Sequence, residues 1–202
     1  MISSLTPDAI LEHGDAGVPI ELRKARMSDI ARLLELINGY AARGIMLPRT
    51  ELEISEVLRD FSVAYSGDQL VGCGALHFYT PTTGEIRSLA VQESAKSHGI
   101  GRRMVEMLLE EAHEYSLDAV FAFTYVADFF RKLGFEAVER GALPLKAWKD
   151  CLRCPKFHCC DEVAVMRVLR PEHWVVPPPK WGVPDGVSDG AETIVLPIVR
   201  KY

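Results

Sequence analysis

Apolar residues recur every three or four positions in three segments of the chain, which indicates helices with one buried face. These segments span residues 30–37, 54–61 and 104–112. Short apolar or alternating runs predict strands at residues 20–25, 62–65, 69–79, 85–92, 119–124, 135–139 and 162–169. A further short helix is predicted at residues 126–133, ended by Gly134. The chain therefore mixes helices and strands from about residue 20 to residue 169.

Capping and turn residues mark the ends of several predicted elements. Ser28 and Asp29 can cap the first helix, and Thr50 with Glu53 forms a capping-box pattern for the second. Residues 67–68 and 81–84 carry the glycine, aspartate and proline that are typical of turns. We therefore expect two strand–turn–strand units between residues 62 and 92.

The two ends of the chain lack this patterning. Residues 1–18 are polar without regular apolar spacing, and residues 171–190 contain eight prolines or glycines, which do not suit a helix or a central strand. We expect a flexible N-terminal segment at residues 1–18, one folded domain at residues 19–170 and a Pro/Gly-rich tail at residues 171–202. Trp174 and Trp181 suggest that this tail docks on a surface, which leaves a homodimer open.

Composition and charge narrow the function classes. The 202 residues carry 23 lysines and arginines against 28 aspartates and glutamates, a formal net charge of −5, so no nucleic-acid partner is expected. No apolar run reaches the roughly 18 residues typical of a membrane span, and the acidic start does not resemble a secretory signal. We therefore expect a cytoplasmic protein without a membrane partner.

A glycine-bearing loop, residues 94–101, precedes the third helix. Backbone N–H groups at a helix N-terminus are unpaired and favour negative charge, and Gly99 and Gly101 would let a diphosphate approach closely. Arg102 and Arg103 add positive charge at the same end. An ordinary tight turn has the same glycine spacing, so the loop alone leaves both interpretations open.

Two motifs and the order of elements resemble the GNAT acetyltransferases. The motifs are Lys96-Ser-His-Gly-Ile-Gly101, where those enzymes usually begin with Arg or Gln, and Phe129-Phe-Arg-Lys-Leu-Gly-Phe135. The resemblance implies an α/β (α+β) GNAT fold, a mixed central sheet flanked by helices, with acetyl-coenzyme A as co-substrate. It assigns these residues to coenzyme A binding: Leu89, Val91, Lys96, Ser97, His98, Gly99, Ile100, Gly101 and Arg102.

Within that superfamily, four segments are similar to the short N-acetylglutamate synthases. They are Gly44-Ile-Met-Leu-Pro-Arg49, Val71-Gly-Cys-Gly-Ala-Leu-His77, Gly84-Glu-Ile-Arg-Ser-Leu-Ala-Val91 and residues 124–135. This resemblance implies direct acetyl transfer to the amine of L-glutamate, the first step of arginine biosynthesis, without the amino-acid kinase domain of longer members. Two alternatives stay open: a GNAT enzyme for another amino acid or small amine, and a non-catalytic acetyl-coenzyme A sensor.

Acetyl transfer needs a base for the amine and an acid for the departing thiolate. Many GNAT enzymes use a carboxylate on the central strand as the base, and Glu85 stands at the start of that strand, with solvation of a turn as its alternative role. His77 on the neighbouring strand is a second candidate base. Phe130 occupies the position of the usual tyrosine acid, so Tyr125 or solvent is the proposed substitute.

Glutamate would bring two carboxylates, and arginine binds a carboxylate through two parallel hydrogen bonds. Arg87 lies two residues after Glu85 and therefore on the same face of the strand. Arg49, beside the cap of the second helix, is the other candidate for substrate binding. A surface charge or a structural ion pair is the alternative for each arginine.

Four of the five cysteines fall in residues 151–160, whose sequence is Cys-Leu-Arg-Cys-Pro-Lys-Phe-His-Cys-Cys. The Cys-x2-Cys spacing is typical of zinc sites. One interpretation is a structural zinc on Cys151, Cys154, Cys159 and Cys160, with His158 as an alternative ligand. Reduced cysteines packed under a loop, or a facultative disulfide, are the other interpretations. The odd cysteine count argues against a disulfide framework.

Overall fold

The computed structural model describes residues 19–140, 143, 152, 154–156 and 159–174. Within them, seven strands form one sheet with the order β1-β2-β3-β4-β5-β7-β6. The strands are β1 Ile20–Lys24, β2 Phe61–Ser66, β3 Gln69–Thr80, β4 Thr83–Val91, β5 Ala119–Thr124, β6 Glu136–Ala137 and β7 Val163–Val168. The helices are α1 Ile30–Ala41, α2 Glu51–Glu56, α3 Ile100–Glu114 and α4 Ala127–Arg131. Only β4 and β5 pair in parallel, so the predicted mixed sheet flanked by helices is confirmed for this part of the chain.

The two faces of the sheet carry different helices. α3 and α4 pack on one face, where Met104, Leu108 and Phe130 are buried against β3, β4, β5 and β7. α1 and α2 cover β2 to β4 on the other face. On that second face, β5 and β7 are covered by a separate apolar cluster that includes Leu143. On this second face of the sheet, two separate groups of residues therefore cover the two sides, and the middle of the sheet lies between them.

The second strand–turn–strand unit differs from its prediction. The turn comprises only Pro81 and Thr82, and β4 already begins at Thr83. Gly84 lies inside the strand, where an added Cβ would meet the Leu117 side chain at 2.9 Å. Close packing of Leu117 therefore explains this glycine better than turn geometry does.

The start of α1 also differs from its prediction. The Asp29 side chain makes no capping bond to α1; it accepts hydrogen bonds from the Arg26 amide, the Arg23 guanidinium and the Tyr65 hydroxyl. Burial opposes the charge of Asp29, but these donors outweigh it and lower the pKa of its carboxyl to about 2. Asp29 thus joins β1, α1 and β2. The capping box of Thr50 and Glu53 at α2 is confirmed.

Strands β4 and β5 separate soon after they meet. Their parallel pairing covers only Thr83–Glu85 against Ala119–Phe121, although β4 continues to Val91 and β5 to Thr124. Ser88 adopts a left-handed backbone with φ of 53°, and the register against β3 shifts beside it. This bulge leaves part of the β4 backbone outside the ladder and turns the strand away from β5. None of the described helices is both long and apolar enough to cross a membrane.

Candidate active site

A cavity of about 1070 Å³ occupies the opening between β4 and β5. Residues 85–91 of β4 and residues 123–126 at the end of β5 form its floor. Residues 44–49, between α1 and α2, form one wall, and residues 154–156, 160 and 162 form another. The start of α3 closes the remaining side. A cavity of this size between diverging strands suits an elongated cofactor and a small acceptor.

The predicted coenzyme A loop lies at one end of this cavity. Gly99 has φ of 73°, a left-handed conformation that favours glycine, and α3 begins at the next residue. The first N–H groups of a 15-residue helix therefore face the cavity with the positive end of its dipole. Eight of the nine assigned residues line the cavity: Leu89, Val91, Lys96, Ser97, Gly99, Ile100, Gly101 and Arg102. The ninth, His98, is exposed and lies outside the lining.

The two arginines at the start of α3 have different surroundings. Arg102 is mostly exposed and forms an ion pair with Glu106 one turn along the helix at 2.8 Å. Arg103 points away from the loop and donates a hydrogen bond to the carbonyl of Ile20 at 3.1 Å. Of the two, Arg102 lines the cavity, whereas Arg103 ties α3 to β1.

Glu85 lies in the floor of the cavity. Its side chain is buried, with 8% of the residue exposed, and accepts a hydrogen bond from the Tyr79 hydroxyl at 2.9 Å. The alternative role, solvation of a turn, is wrong because Glu85 is an interior residue of β4 opposite His77. A buried carboxylate at the edge of a cavity is placed to accept a proton from a bound amine.

Arg87 and His77 meet at a residue that the sequence did not single out. Asp60, just before β2, lies with Oδ2 2.5 Å from His77 Nδ1 and 3.9 Å from Arg87 Nη2. Arg87 lines the cavity with its side chain only 12% exposed, whereas His77 lies outside the lining. Asp60 therefore forms a long ion pair with Arg87, and its contact to His77 occupies one nitrogen of that candidate base.

Asn38 of α1, which the sequence patterns did not mark, holds the backbone of Arg49 in position. The Asn38 side chain accepts a hydrogen bond from the Arg49 amide and donates one to the Arg49 carbonyl, both at 2.9 Å. This pair of bonds fixes the connection between α1 and α2 against α1. Arg49 thereby lines the wall of the cavity that stands beside β4.

Tyr125 follows the last residue of β5, in the floor of the cavity. Its hydroxyl accepts a hydrogen bond from Lys156 Nζ at 3.2 Å. Burial raises the pKa of the Tyr125 hydroxyl, and the neighbouring ammonium group offsets this only in part. Phe130, at the usual position of the acid, is 3% exposed and packs edge-on against Phe135, so it offers no proton.

The cysteine segment contributes to the wall opposite Arg49. Arg140 Nη2 contacts Cys160 Sγ at 3.1 Å and donates a hydrogen bond to the Glu162 carbonyl. Glu162 lies in the same wall, and burial raises the pKa of its carboxyl. The sequence pattern marked neither Arg140 nor Lys156, because isolated cations in irregular segments carry no periodicity.

The zinc interpretation finds no support within the described residues. No group of three or more His, Cys, Asp or Glu side chains among them could hold a metal ion. Cys154, Cys159 and Cys160 are free thiols. Cys151 and His158 lie outside the described residues, so the complete ligand set is not defined there.

Known proteins resemble this chain in both sequence and fold. The acetyltransferase (GNAT) family matches residues 33–135. An uncharacterized N-acetyltransferase of Chlorobaculum tepidum is 41% identical over 148 residues, 73% of this chain and 96% of that protein. An amino-acid acetyltransferase of Mycobacterium tuberculosis is 37% identical over 135 residues, 65% of this chain and 77% of that protein. The N-acetylglutamate synthase of Neisseria gonorrhoeae, complexed with coenzyme A and N-acetyl-glutamate, matches with a TM-score of 0.68 and 25% identity over 75% of this chain and 35% of that chain.

Proposed function

The chain belongs to the acetyltransferase (GNAT) family and is an N-acetyltransferase, and on that premise we propose that it acetylates the amine of L-glutamate with acetyl-coenzyme A. One observation carries the choice of acceptor. Glu85 and Arg87 lie two residues apart on one face of β4 and line the same cavity. A carboxylate beside a guanidinium can hold the ammonium and the carboxylate of one amino acid at once.

Acetyl-coenzyme A fits the end of the cavity at α3. The N–H groups at the start of α3 and the cation of Lys96 would hold its diphosphate. The pantetheine arm would follow the opening between β4 and β5, where Leu89 and Val91 offer apolar contacts. In our proposal, backbone released from the ladder at the Ser88 bulge would donate a hydrogen bond to the thioester oxygen.

In the reaction the acceptor nitrogen loses two protons and the coenzyme A sulfur gains one. The α-amino pKa of a free amino acid lies well above neutral pH, because the adjacent carboxylate favours the ammonium form, so the acceptor enters as an ammonium ion at pH 7. In our proposal Glu85 takes that proton, the amine nitrogen attacks the thioester carbon, and a tetrahedral oxyanion forms. When the carbon–sulfur bond breaks, Tyr125 protonates the coenzyme A thiolate. The nitrogen then passes its second proton through solvent to the tyrosinate, which leaves the amide, and Glu85 releases its proton to solvent. The pKa of Tyr125 is raised by burial, so its hydroxyl carries a proton at neutral pH that it can donate.

The N-acetylglutamate synthase of Neisseria gonorrhoeae supports glutamate as the acceptor, because it was crystallised with N-acetyl-glutamate. This chain spans only 35% of that protein, so likeness of the whole enzymes is part of the proposal. We place the reaction at the first step of arginine biosynthesis, in the cytoplasm. The anionic acceptor is compatible with a net charge of −5 because Arg49 and Arg87 supply local cations.

An acceptor screen tests the proposal. Thiol release from acetyl-coenzyme A is followed with each proteinogenic amino acid and with spermidine, and the product is identified by mass spectrometry. Acetylation of L-glutamate above all other acceptors supports the assignment. If the enzyme prefers a polyamine or another amino acid, that compound replaces glutamate as the assigned acceptor. Coenzyme A binding without turnover on any acceptor would identify a non-catalytic sensor.

A further inference from the structure

Lys156 lies in the cavity wall opposite Arg49, on the segment that contains the cysteines. We infer that Lys156 is a specificity-determining residue whose ammonium group binds a carboxylate of the acceptor. This inference rests on the proposed function, since it concerns the same acceptor site. It also gives the cysteine segment a role in substrate recognition that does not depend on a metal.

Tyr125 fixes the direction of the Lys156 side chain. Lys156 Nζ lies 3.2 Å from the Tyr125 hydroxyl and 4.9 Å from the centre of its ring. A lysine held over a ring at the end of β5 keeps its charge beside the floor of the cavity, which also contains Arg87 and Glu85. Lys156 is therefore oriented before an acceptor arrives.

The charge of Lys156 is only weakly compensated by its neighbour. Asp161 lies 3.6 Å from Nζ, and both side chains are largely exposed, at 42% for Lys156 and 64% for Asp161. Exposed ion pairs of this kind contribute roughly 0–1 kcal/mol. An acceptor carboxylate inside the cavity can therefore compete for the ammonium group.

Arg140 is a positioning residue for this wall. Its guanidinium contacts the Cys160 sulfur and the Glu162 carbonyl, and it stacks 5.7 Å from the centre of the Phe123 ring. These contacts fix residues 160–162 to the end of β5. The wall that carries Lys156 is thus attached to the floor that carries Tyr125.

Three of the cations that line the cavity, away from the start of α3, favour an acceptor with two carboxylates. Arg87 rises from the floor, Arg49 stands in one wall and Lys156 in the opposite wall. One carboxylate of a dicarboxylic amino acid can bind Arg87 while the other reaches a wall. Glutamate and glutamine differ only in that second group, so their discrimination is a direct measure of the wall cations.

Two variants of Lys156 and one control test the inference. Lys156→Met removes the charge and keeps much of the apolar stem, Lys156→Arg restores a cation, and Lys132→Met removes an exposed lysine outside the cavity lining. KM and kcat are measured with L-glutamate, L-glutamine and acetyl-coenzyme A. Binding of N-acetyl-L-glutamate in the presence of coenzyme A is measured by titration calorimetry as a readout independent of turnover.

We expect Lys156→Met to raise the glutamate KM about tenfold or more, the effect of losing one charged hydrogen bond. The KM for acetyl-coenzyme A and the control variant should stay within about twofold of the wild type, and Lys156→Arg should recover most of the affinity. Binding of N-acetyl-L-glutamate should weaken in parallel. An unchanged glutamate KM, or an equal rise for acetyl-coenzyme A, overturns the inference.

Failure of the proposed function gives a different result. If the wild type prefers another amino acid, the glutamate assignment fails, and the same variants are measured with the preferred acceptor. A rise in its KM in Lys156→Met still supports the carboxylate role, whereas no change overturns it. If the wild type acetylates no amino acid, both proposals are overturned.

Discussion

The Tyr79 hydroxyl donates a hydrogen bond to the Glu85 carboxylate at 2.9 Å, across the junction of β3 and β4. Tyr79 itself packs on Phe121 of β5, with ring centres 5.7 Å apart. The carboxylate is therefore held by a residue whose ring belongs to the core. This arrangement gives Glu85 a fixed direction, as a general base requires.

Glu85→Gln keeps the size of the side chain and removes its basicity. We expect kcat to fall by about 10²- to 10³-fold, the usual contribution of a general base, with little change in the KM for acetyl-coenzyme A. Tyr79→Phe should lower kcat less, because the carboxylate remains and only its orientation loosens. Steady-state kinetics with L-glutamate measure both. A Glu85→Gln enzyme with wild-type kcat would exclude Glu85 as the base.

Arg87→Ala should affect the acceptor and spare the co-substrate. We expect the KM for L-glutamate to rise about tenfold or more, since a bidentate carboxylate contact is lost, while the KM for acetyl-coenzyme A changes little. Arg59→Ala, an exposed arginine outside the cavity lining, is the matched control. Equal increases in both KM values would contradict the assignment of Arg87 to the acceptor.

Tyr125→Phe tests the proposed acid. The hydroxyl is the only group removed, and Lys156 loses its hydrogen-bond partner at the same time. If Tyr125 protonates the thiolate, kcat should fall by about 10²-fold. Because the pKa of Tyr125 is raised, the wild-type rate should not fall until the pH exceeds the ordinary range of a tyrosine. Wild-type kcat in Tyr125→Phe would assign the proton to solvent.

Gly99→Ala tests the loop at α3. A side chain at φ of 73° costs about 1–2 kcal/mol, so we expect lower stability and a higher KM for acetyl-coenzyme A. Gly39→Ala is the control, because an added Cβ there meets nothing within 4 Å and alanine favours a helix by about 1 kcal/mol. Thermal unfolding and steady-state kinetics should show a lower melting temperature and a higher KM for acetyl-coenzyme A in Gly99→Ala but not in Gly39→Ala. Unchanged stability and KM in Gly99→Ala would show that the loop does not depend on a left-handed backbone at Gly99.

Asp29→Asn tests the junction of β1, α1 and β2. The pKa of Asp29 is lowered from 3.8 to about 2, so its charge stabilises the fold above pH 4, and this contribution is lost as the pH falls towards 2. The shift corresponds to about 2 kcal/mol at neutral pH. Urea unfolding of wild type and variant should therefore differ most at pH 7 and converge near pH 2. A difference independent of pH would show that the charge is not responsible.

Much of the fold was predictable because its helices and strands carry strong periodic patterns. The strands from residue 61 to residue 91 and helix α3 lie within a few residues of their predictions. The roles of Gly84 and Asp29 differ from their predictions for the same reason. Both residue types favour turns and caps, but here tertiary contacts with Leu117 and with Arg23 determine their roles.

The site was predictable only where it coincides with a local motif. The loop before α3 and the pair Glu85 and Arg87 are short-range features of the sequence. Asp60 and Lys156 reach the site through contacts with residues 17 and 31 positions away, and no local pattern encodes such contacts. Their roles follow from the way the strands separate and not from spacing.

A competition experiment tests L-glutamate as the acceptor most directly. Equimolar L-glutamate, L-glutamine, L-aspartate and spermidine are incubated with one limiting amount of acetyl-coenzyme A and the wild-type chain, and the acetylated products are quantified by mass spectrometry. If L-glutamate is the acceptor, N-acetyl-L-glutamate is the dominant product. Acetylspermidine, N-acetyl-L-glutamine or N-acetyl-L-aspartate as the dominant product, or no acetylated amine at all, would contradict the glutamate assignment.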